Sequence, residues 1–294
     1  MVDVVRSFGI TNNNNQTSAG KLYMVATPIG NLEDMTYRAI RTLREVDLIA
    51  AEDTRQTRKL LTHYDIQARL VSYHEHNKQS SGPELIRMIS EGQSIALVSD
   101  AGMPAISDPG EDLARLAIAQ GIPVVPIPGA SATLSALVMS GLPTSSFQFV
   151  GFLPREKKKL KLALKELQGI TATVIVYESP HRLVATLEAM LEIWGNRRIA
   201  LIRELTKKYE EAARGTVEEL IVYLADHPPK GEYVLIVEGD TGMIQTEVEV
   251  WWKGLSVAEH VRQYEERQMS RKEAMKLTAS DRGVSRRDIY QELI

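Results

Sequence analysis

The sequence predicts an α/β protein of two domains, with a mostly parallel N-terminal sheet, a second mixed α/β domain and a small C-terminal helical region. Three observations predict it. Short apolar, β-branched runs alternate with helix-period segments over roughly 130 residues from Leu22, the pattern of a parallel sheet with helices on its faces. The later segments are strand-rich with fewer crossovers. After Gly242 the strand runs stop, and three Ser-led capping patterns follow. The expected division is a disordered leader over 1–20, an N-terminal domain with the ligand loops over 21–150, a basic linker helix over 151–170, a second domain over 171–242 and a helical region over 243–294.

The elements follow in order. Thr11 to Gly20 has four consecutive Asn and no apolar period, hence the leader. Strands are expected at Leu22–Ala26, Asp47–Ala51, Arg69–Tyr73, Ser94–Ser99 and Val124–Ile127. Helices are expected near Met35–Val46, Thr57–His63 and Pro83–Glu91, and from Glu111 with Asp108 as its N-cap and Pro109 in its first turn. Another helix opens at Pro128-Gly129-Ala130-Ser131-Ala132, and Phe147–Phe149 closes the first domain. Gly151–Leu167 holds six Lys or Arg against two Glu and reads as a basic helix, either a solvated face or a phosphate contact. Strands at Ala172–Tyr177, Arg198–Arg203, Tyr209–Arg214 and Gly231–Gly239 build the second domain. A helix follows Ser179-Pro180, and another follows the capping box Thr216 to Glu219. Ser256, Ser270 and Ser285 open three short helices. The last two, separated by Asp281-Arg282-Gly283, resemble a helix-turn-helix with Ser285–Leu293 in the recognition position; a packing appendage fits as well.

Five polar or Gly-rich clusters follow strands and precede helices: TPIGN, EDTR, HEHN, SDAGMP and PGASA. All five therefore fall at one sheet edge, where open α/β sheets bind ligands. The loops at Asp100–Pro104 and Gly129–Ala132 are rich in small residues and admit a ligand against the backbone. Glu52, Asp53, His74 and His76 are acid/base candidates on that rim.

Composition bounds the rest. The chain has 294 residues, 44% of them hydrophobic, and a formal charge of −3, so no global field draws it to nucleic acid or a membrane. The absence of cysteine excludes thiolate chemistry and disulfides. No membrane span or signal segment is evident, and a soluble cytoplasmic protein is expected. His74 and His76 lack an evident third ligand, so no metal is expected. GxSxG, GxxxxGK[ST] and GxGxxG are absent, which disfavours nucleotide hydrolysis and dinucleotide-dependent redox chemistry.

VATPIGNL, AEDTR, LVSDAGMPAISDPG, PIPGASA, GFLP, YESPHR, RELTKKYEE and KGEYVLIVEG occur in this order from Val25 to Gly239. Together they resemble the 16S ribosomal RNA cytidine 2′-O-methyltransferases of the tetrapyrrole methylase superfamily. The resemblance implies a tetrapyrrole-methylase-like fold and S-adenosylmethionine held between the two α/β domains. The residues expected to hold it are Pro28, Ile29, Gly30, Asp100, Ala101, Gly102, Pro104, Ile106, Ser131, Ala132 and Glu178. It implies a homodimer acting on a ribose of a decoding-centre cytidine of 16S rRNA in the small ribosomal subunit. Glu52, Asp53 and His74 are then the expected catalytic groups, and Arg55, Lys157, Lys158, Lys159, Lys207 and Lys208 the expected RNA contacts. Two departures stand out. The first loop, Thr27 to Asn31, lacks the GxGPG-like form of the corrin-making relatives, which argues against a tetrapyrrole substrate. Met103 replaces an expected Thr. The rival readings are a corrinoid-precursor methylase and a non-catalytic RNA-binding assembly factor.

Overall fold

The computed structural model describes residues 20–242, 252, 254–267, 269–282 and 284–293. The expected leader lies outside the described residues, apart from Gly20. The chain divides after Asp240 into a large unit and a small C-terminal one.

The large unit holds two five-stranded sheets. Strands β1 (Leu22–Val25), β2 (Leu48–Ala51), β3 (Leu70–Ser72), β4 (Ile95–Val98) and β5 (Val124–Ile127) form the first, in the order β3-β2-β4-β1-β5, every pair parallel. The strands β2 and β4 are buried throughout, as continuous apolar runs demand when helices cover both faces. The helices α1 (Tyr37–Glu45) and α2 (Thr54–His63) carry the chain from β1 to β2 to β3, in one direction across the sheet. Right-handed crossovers then put both on one face, where Ala39, Leu43 and Leu61 pack with Val25, Ile49 and Val98. The helices α3 (Lys78–Ser90) and α4 (Glu111–Ala119) cross the other way and pack on the opposite face against Leu22, Leu48 and Leu97. The reversal occurs between the neighbouring strands β1 and β4. The connections leaving β1 and β4 therefore cross over one another at the crevice along the carboxyl edge, where such sheets bind ligands.

Strands β6 (Phe147–Phe152), β7 (Thr173–Glu178), β8 (Arg198–Arg203), β9 (Glu211–Thr216) and β10 (Tyr233–Val237) form the second sheet, in the order β6-β7-β10-β8-β9. Only β6 and β7 are parallel. The helices α6 (Lys157–Glu166), α7 (Leu183–Trp194) and α8 (Val217–Asp226) cover one face of it. The helix α5 (Ala132–Ser140) covers the other, setting Ala136 and Leu137 against Ile175, Ile202 and Val234. Thus α5 begins at the edge of the first sheet and packs on the second.

Several local expectations are corrected. The segment Phe147–Phe149 does not close the first domain: it pairs with Thr173–Ile175 and continues past a bulge at Gly151 (φ +73°) to Phe152, so the boundary expected at 150 falls inside a strand. Asp108 does not cap α4; the capping position is Gly110, whose φ of +143° only glycine adopts readily. The helix α2 starts at Thr54, three residues early, because the Asp53 side chain accepts the Arg55 N–H. The helix α3 starts at Lys78 and absorbs Pro83. The turn after Ser179 delays α7 to Leu183.

In the C-terminal unit, α9 (Val257–Glu266), α10 (Arg271–Arg282) and α11 (Arg286–Glu292) enclose Val261, Ala274, Met275 and Ile289. All three Ser-led capping boxes form. Asp281 and Arg282 belong to the last turn of α10 rather than to the turn after it. They bracket the fully buried His260, whose Nε2 lies 3.1 Å from Asp281 and whose Nδ1 accepts from Arg282 at 3.2 Å.

Candidate functional site

The loops after β1 and β4 lock together at the crevice. The Thr27 N–H donates to the Gly102 carbonyl at 2.8 Å, the Gly102 N–H returns to Thr27 at 3.1 Å, and the Thr27 hydroxyl reaches the Ser99 carbonyl at 3.1 Å. Gly102 sits at φ +80°, and a Cβ there would stand 3.4 Å from Ile29 Cγ2. The loop after β5 ends at Ser131, whose side chain caps α5 by accepting the Leu134 N–H at 3.4 Å. Facing these loops, β7 and β10 bring Tyr177, Glu178 and Tyr233, and the loop after β8 brings Glu204, Leu205 and Lys207.

Between them lies a cavity of about 320 Å³, within the range of small-molecule sites. Ile29, Ala101, Gly102, Ile106, Ser131, Ala132 and Glu178 line it, together with Met103, Asp108, Thr133 and Phe152. Pro28, Gly30, Asp100 and Pro104, expected in the same site, do not line it. Gly30 backs onto the β8 loop, where a Cβ would stand 2.5 Å from Lys207 Cγ. The Asp100 carboxylate turns outward to accept the Asp53 N–H at 3.2 Å.

Four non-glycine residues at positive φ border this space: Ala105 (71°), Ser107 (63°), Glu204 (50°) and Thr206 (63°). Backbone strain of this kind persists where the surrounding structure enforces it and gathers at ligand sites. Glu178 is 2% exposed, with its oxygens taken by the Ser179 N–H at 2.8 Å and the Thr186 hydroxyl at 2.7 Å, and Arg182 stands 3.4 Å away. It braces the wall. Tyr177 shares a hydrogen bond of 2.8 Å with Thr133, tying β7 to α5.

Asp108 differs from the other carboxylates of the lining. Among the described residues it has no ion pair. Burial pushes its pKa up to about 6, the charges of Glu52 and Asp100 push the same way, and a hydrogen bond from Ser99 opposes them. The groups facing it are therefore Glu52 just after β2, Ser99 and Asp100 just after β4, and Tyr177 from β7.

Glu52, Asp53 and His74 flank the cavity edge without lining it. Burial raises the Glu52 pKa, while the Asp100 backbone N–H and His74 act against it. The Asp53 carboxyl is drawn down to about 2 by hydrogen bonds from Arg55, as a helix cap rather than a proton acceptor. His74 Nδ1 is buried without a hydrogen-bond partner among the described residues. Arg55 thus spends its guanidinium on Asp53 at 2.9 Å. Lys207 lines the cavity and pairs with Glu204 at 3.2 Å and Glu232 at 3.8 Å, its side chain still partly exposed. Lys208 lies over the Tyr209 ring. Lys157, Lys158 and Lys159 open α6 in the exposed class, with Lys159 paired to Glu156 at 3.0 Å. Among the described residues no three His, Asp or Glu converge as a metal set, and no helix is long and apolar enough to cross a membrane.

The model of the family described as tetrapyrrole (corrin/porphyrin) methylases matches residues 21–221. A protein named ribosomal RNA small subunit methyltransferase I from Halalkalibacterium halodurans is 60% identical, over 92% of this chain and 93% of its own. The Bacillus subtilis protein of the same name is 52% identical, over 94% and 95%. Among solved structures, a cobalt precorrin-4 methyltransferase superposes with a TM-score of 0.56 at 17% identity, over 76% of this chain and 98% of its own. A diphthine synthase gives 0.57 at 14%, over 74% and 90%. At such identities these two speak for the fold alone.

Proposed function

The chain belongs to the tetrapyrrole methylase family, in the group of ribosomal RNA small subunit methyltransferase I proteins, and from that premise we propose that it methylates the ribose 2′-oxygen of a decoding-centre cytidine of 16S rRNA. The methyl donor is S-adenosylmethionine, which supplies an electrophilic methyl on a positively charged sulfur. The residues of the cavity fit it. Small side chains at Ala101, Gly102, Ser131 and Ala132 leave room for close backbone approach, and Phe152, Tyr177 and Tyr233 offer aromatic walls. Asp108, Glu178, Glu204 and Glu232 outnumber Lys207 in the lining, which suits a cationic ligand.

The observation that carries the reading is Asp108, a carboxylate without an ion pair among the described residues, on the wall of a small-loop cavity at the carboxyl edge of the first sheet. A ribose hydroxyl is a poor nucleophile until it sheds its proton. In this reading Asp108 would take that proton as the oxygen is methylated by the donor held in the cavity, and would then pass it to water. The protein chiefly aligns oxygen, carbon and sulfur. Glu52, at the cavity edge, adds to burial in raising the affinity of Asp108 for the proton.

The test is transfer of a labelled methyl group to small ribosomal subunits, followed by mapping of the product. A 2′-O-methylcytidine in the decoding centre, insensitive to chelator and lost on a 2′-deoxy target, is the expected result. A methyl group on a base, or transfer to an isolated tetrapyrrole with none to RNA, would refute it. A small-subunit substrate supports a cytoplasmic location. Two copies are proposed to assemble through α5, whose Leu134 and Val138 are 51% and 78% exposed; light scattering at twice the chain mass is the expected result.

A further inference from the structure

The two faces of the first sheet treat their cations differently. On one face α3 and α4 carry three cations and three carboxylates, and every cation is paired: Lys78 with Glu75 and Asp112, Arg87 with Glu84 and Glu91, and Arg115 with Asp112. On the other, α1 and α2 carry six cations and a single carboxylate, Glu45. There, among the described residues, only Arg55 is ion-paired, to its own capping residue. Arg38, Arg41, Arg44, Arg58 and Lys59 have no carboxylate within 4 Å among the described residues. Arg44 donates to the Tyr64 carbonyl at 2.8 Å, which ties the two helices side by side. In a chain of net charge −3, this is a local excess that internal pairing does not consume.

Its position gives it meaning. Both helices start at the carboxyl ends of strands, beside the loops of the cavity. Tyr37, in the first turn of α1, is 94% exposed, and Arg41 stands one turn behind it. Glu33 and Asp34 lie ahead of Tyr37 in the short turn after β1.

We infer that the α1/α2 face docks the RNA substrate, with Arg41, Arg58 and Lys59 on its phosphates and Tyr37 stacked on an unpaired base at the cavity rim. This rests on the proposed RNA methylation and adds the surface that presents the substrate. Cations without protein partners release condensed counterions from RNA at no cost in broken ion pairs. An exposed aromatic beside them supplies the stacking that single-stranded RNA offers.

The test is binding of purified small ribosomal subunits, and of protein-free 16S RNA, across a salt series. The triple variant Arg41→Ala, Arg58→Ala, Lys59→Ala is expected to bind both at least about tenfold more weakly, with a log–log salt slope shallower by about 2. Its S-adenosylmethionine affinity and melting temperature should match wild type. Tyr37→Ala is expected to lose roughly five- to a hundredfold in affinity, and Tyr37→Phe to retain it. The double variant Arg87→Ala, Arg115→Ala on the opposite face should bind as wild type. A triple variant with unchanged affinity and slope, beside a wild type that methylates the subunit, overturns this inference alone. A wild type that neither binds nor methylates RNA overturns the underlying reading and this with it. Loss of subunit binding with protein-free RNA binding intact assigns the face to a ribosomal protein and overturns the RNA assignment.

Discussion

Asp108 concentrates the chemistry of this molecule in one side chain. If it takes the proton, turnover depends on its carboxylate form, so log kcat should fall below a pH of about 6. Asp108→Asn should lose most turnover and that acid limb together, a loss far larger than the fall in S-adenosylmethionine affinity that removing one of four lining carboxylates brings. A variant that keeps the limb would assign the titration to another group. Stability should move the opposite way. The folded state holds this proton up to about 6, against an ordinary value of 3.8, so the contribution of the protonated form is present below 3.8 and is lost as pH rises toward 6. Asparagine escapes the cost of a buried charge, so the variant should melt higher than wild type at pH 8 and show no such gain at pH 4. A lower melting temperature at pH 8 would contradict this. Asp108 was hidden in the sequence by its own neighbours: Asp-Pro-Gly before a helical period reads as a cap and first turn. The φ of +143° at Gly110 moves the cap two residues on and frees the carboxylate for the cavity. Gly102 and Ser131 were legible, because small residues at strand ends have few other reasons to recur.

At the scale of elements, α5 couples the two sheets. Its first residues line the cavity, and its buried face, Ala136 and Leu137, lies on the second sheet. Leu137→Ala should destabilise the fold by about 2–5 kcal/mol, since a buried leucine leaves a hole that rigid strands cannot close. It should also weaken S-adenosylmethionine binding, because Ser131, Ala132 and Thr133 ride on the same helix. Urea unfolding and calorimetry would check both. A loss below 1 kcal/mol with unchanged binding would mean that α5 is held by its cap and loop alone. The strands of the first sheet were legible as apolar runs, most clearly β2 and β4, whose burial on both faces leaves no other pattern. Their spatial order was not, because it depends on crossovers between distant segments. The strand β6 shows the limit most clearly. Phe147–Phe149 follows the first domain in sequence, yet only the partner strand, more than twenty residues on, decides which sheet it joins.

At the scale of the whole molecule, the cavity belongs entirely to the large unit. The small unit has its own apolar centre around Val261, Met275 and Ile289, and its own buried polar group in His260. Among the described residues, none beyond Val237 belongs to the other hydrophobic clusters. A protein ending at Gly242 keeps the Arg197–Asp240 pair, at 3.5 Å, and the Asp240 N–H bond to the Ile170 carbonyl, at 2.6 Å. Each core therefore survives the division, as units that bury their own apolar surface can. The shortened protein should fold cooperatively and bind S-adenosylmethionine within about twofold of the full chain, an energy difference of roughly 0.4 kcal/mol. Small-subunit affinity separates the two readings of the C-terminal helices. A drop of at least about tenfold, with a shallower salt slope, would make them RNA readers, in keeping with the helix-turn-helix spacing of α10 and α11. Unchanged affinity would make them a packing appendage and leave the α1/α2 face as the principal RNA contact. Loss of S-adenosylmethionine binding in a folded, shortened protein would contradict the placement of the methyl-donor site within the large unit.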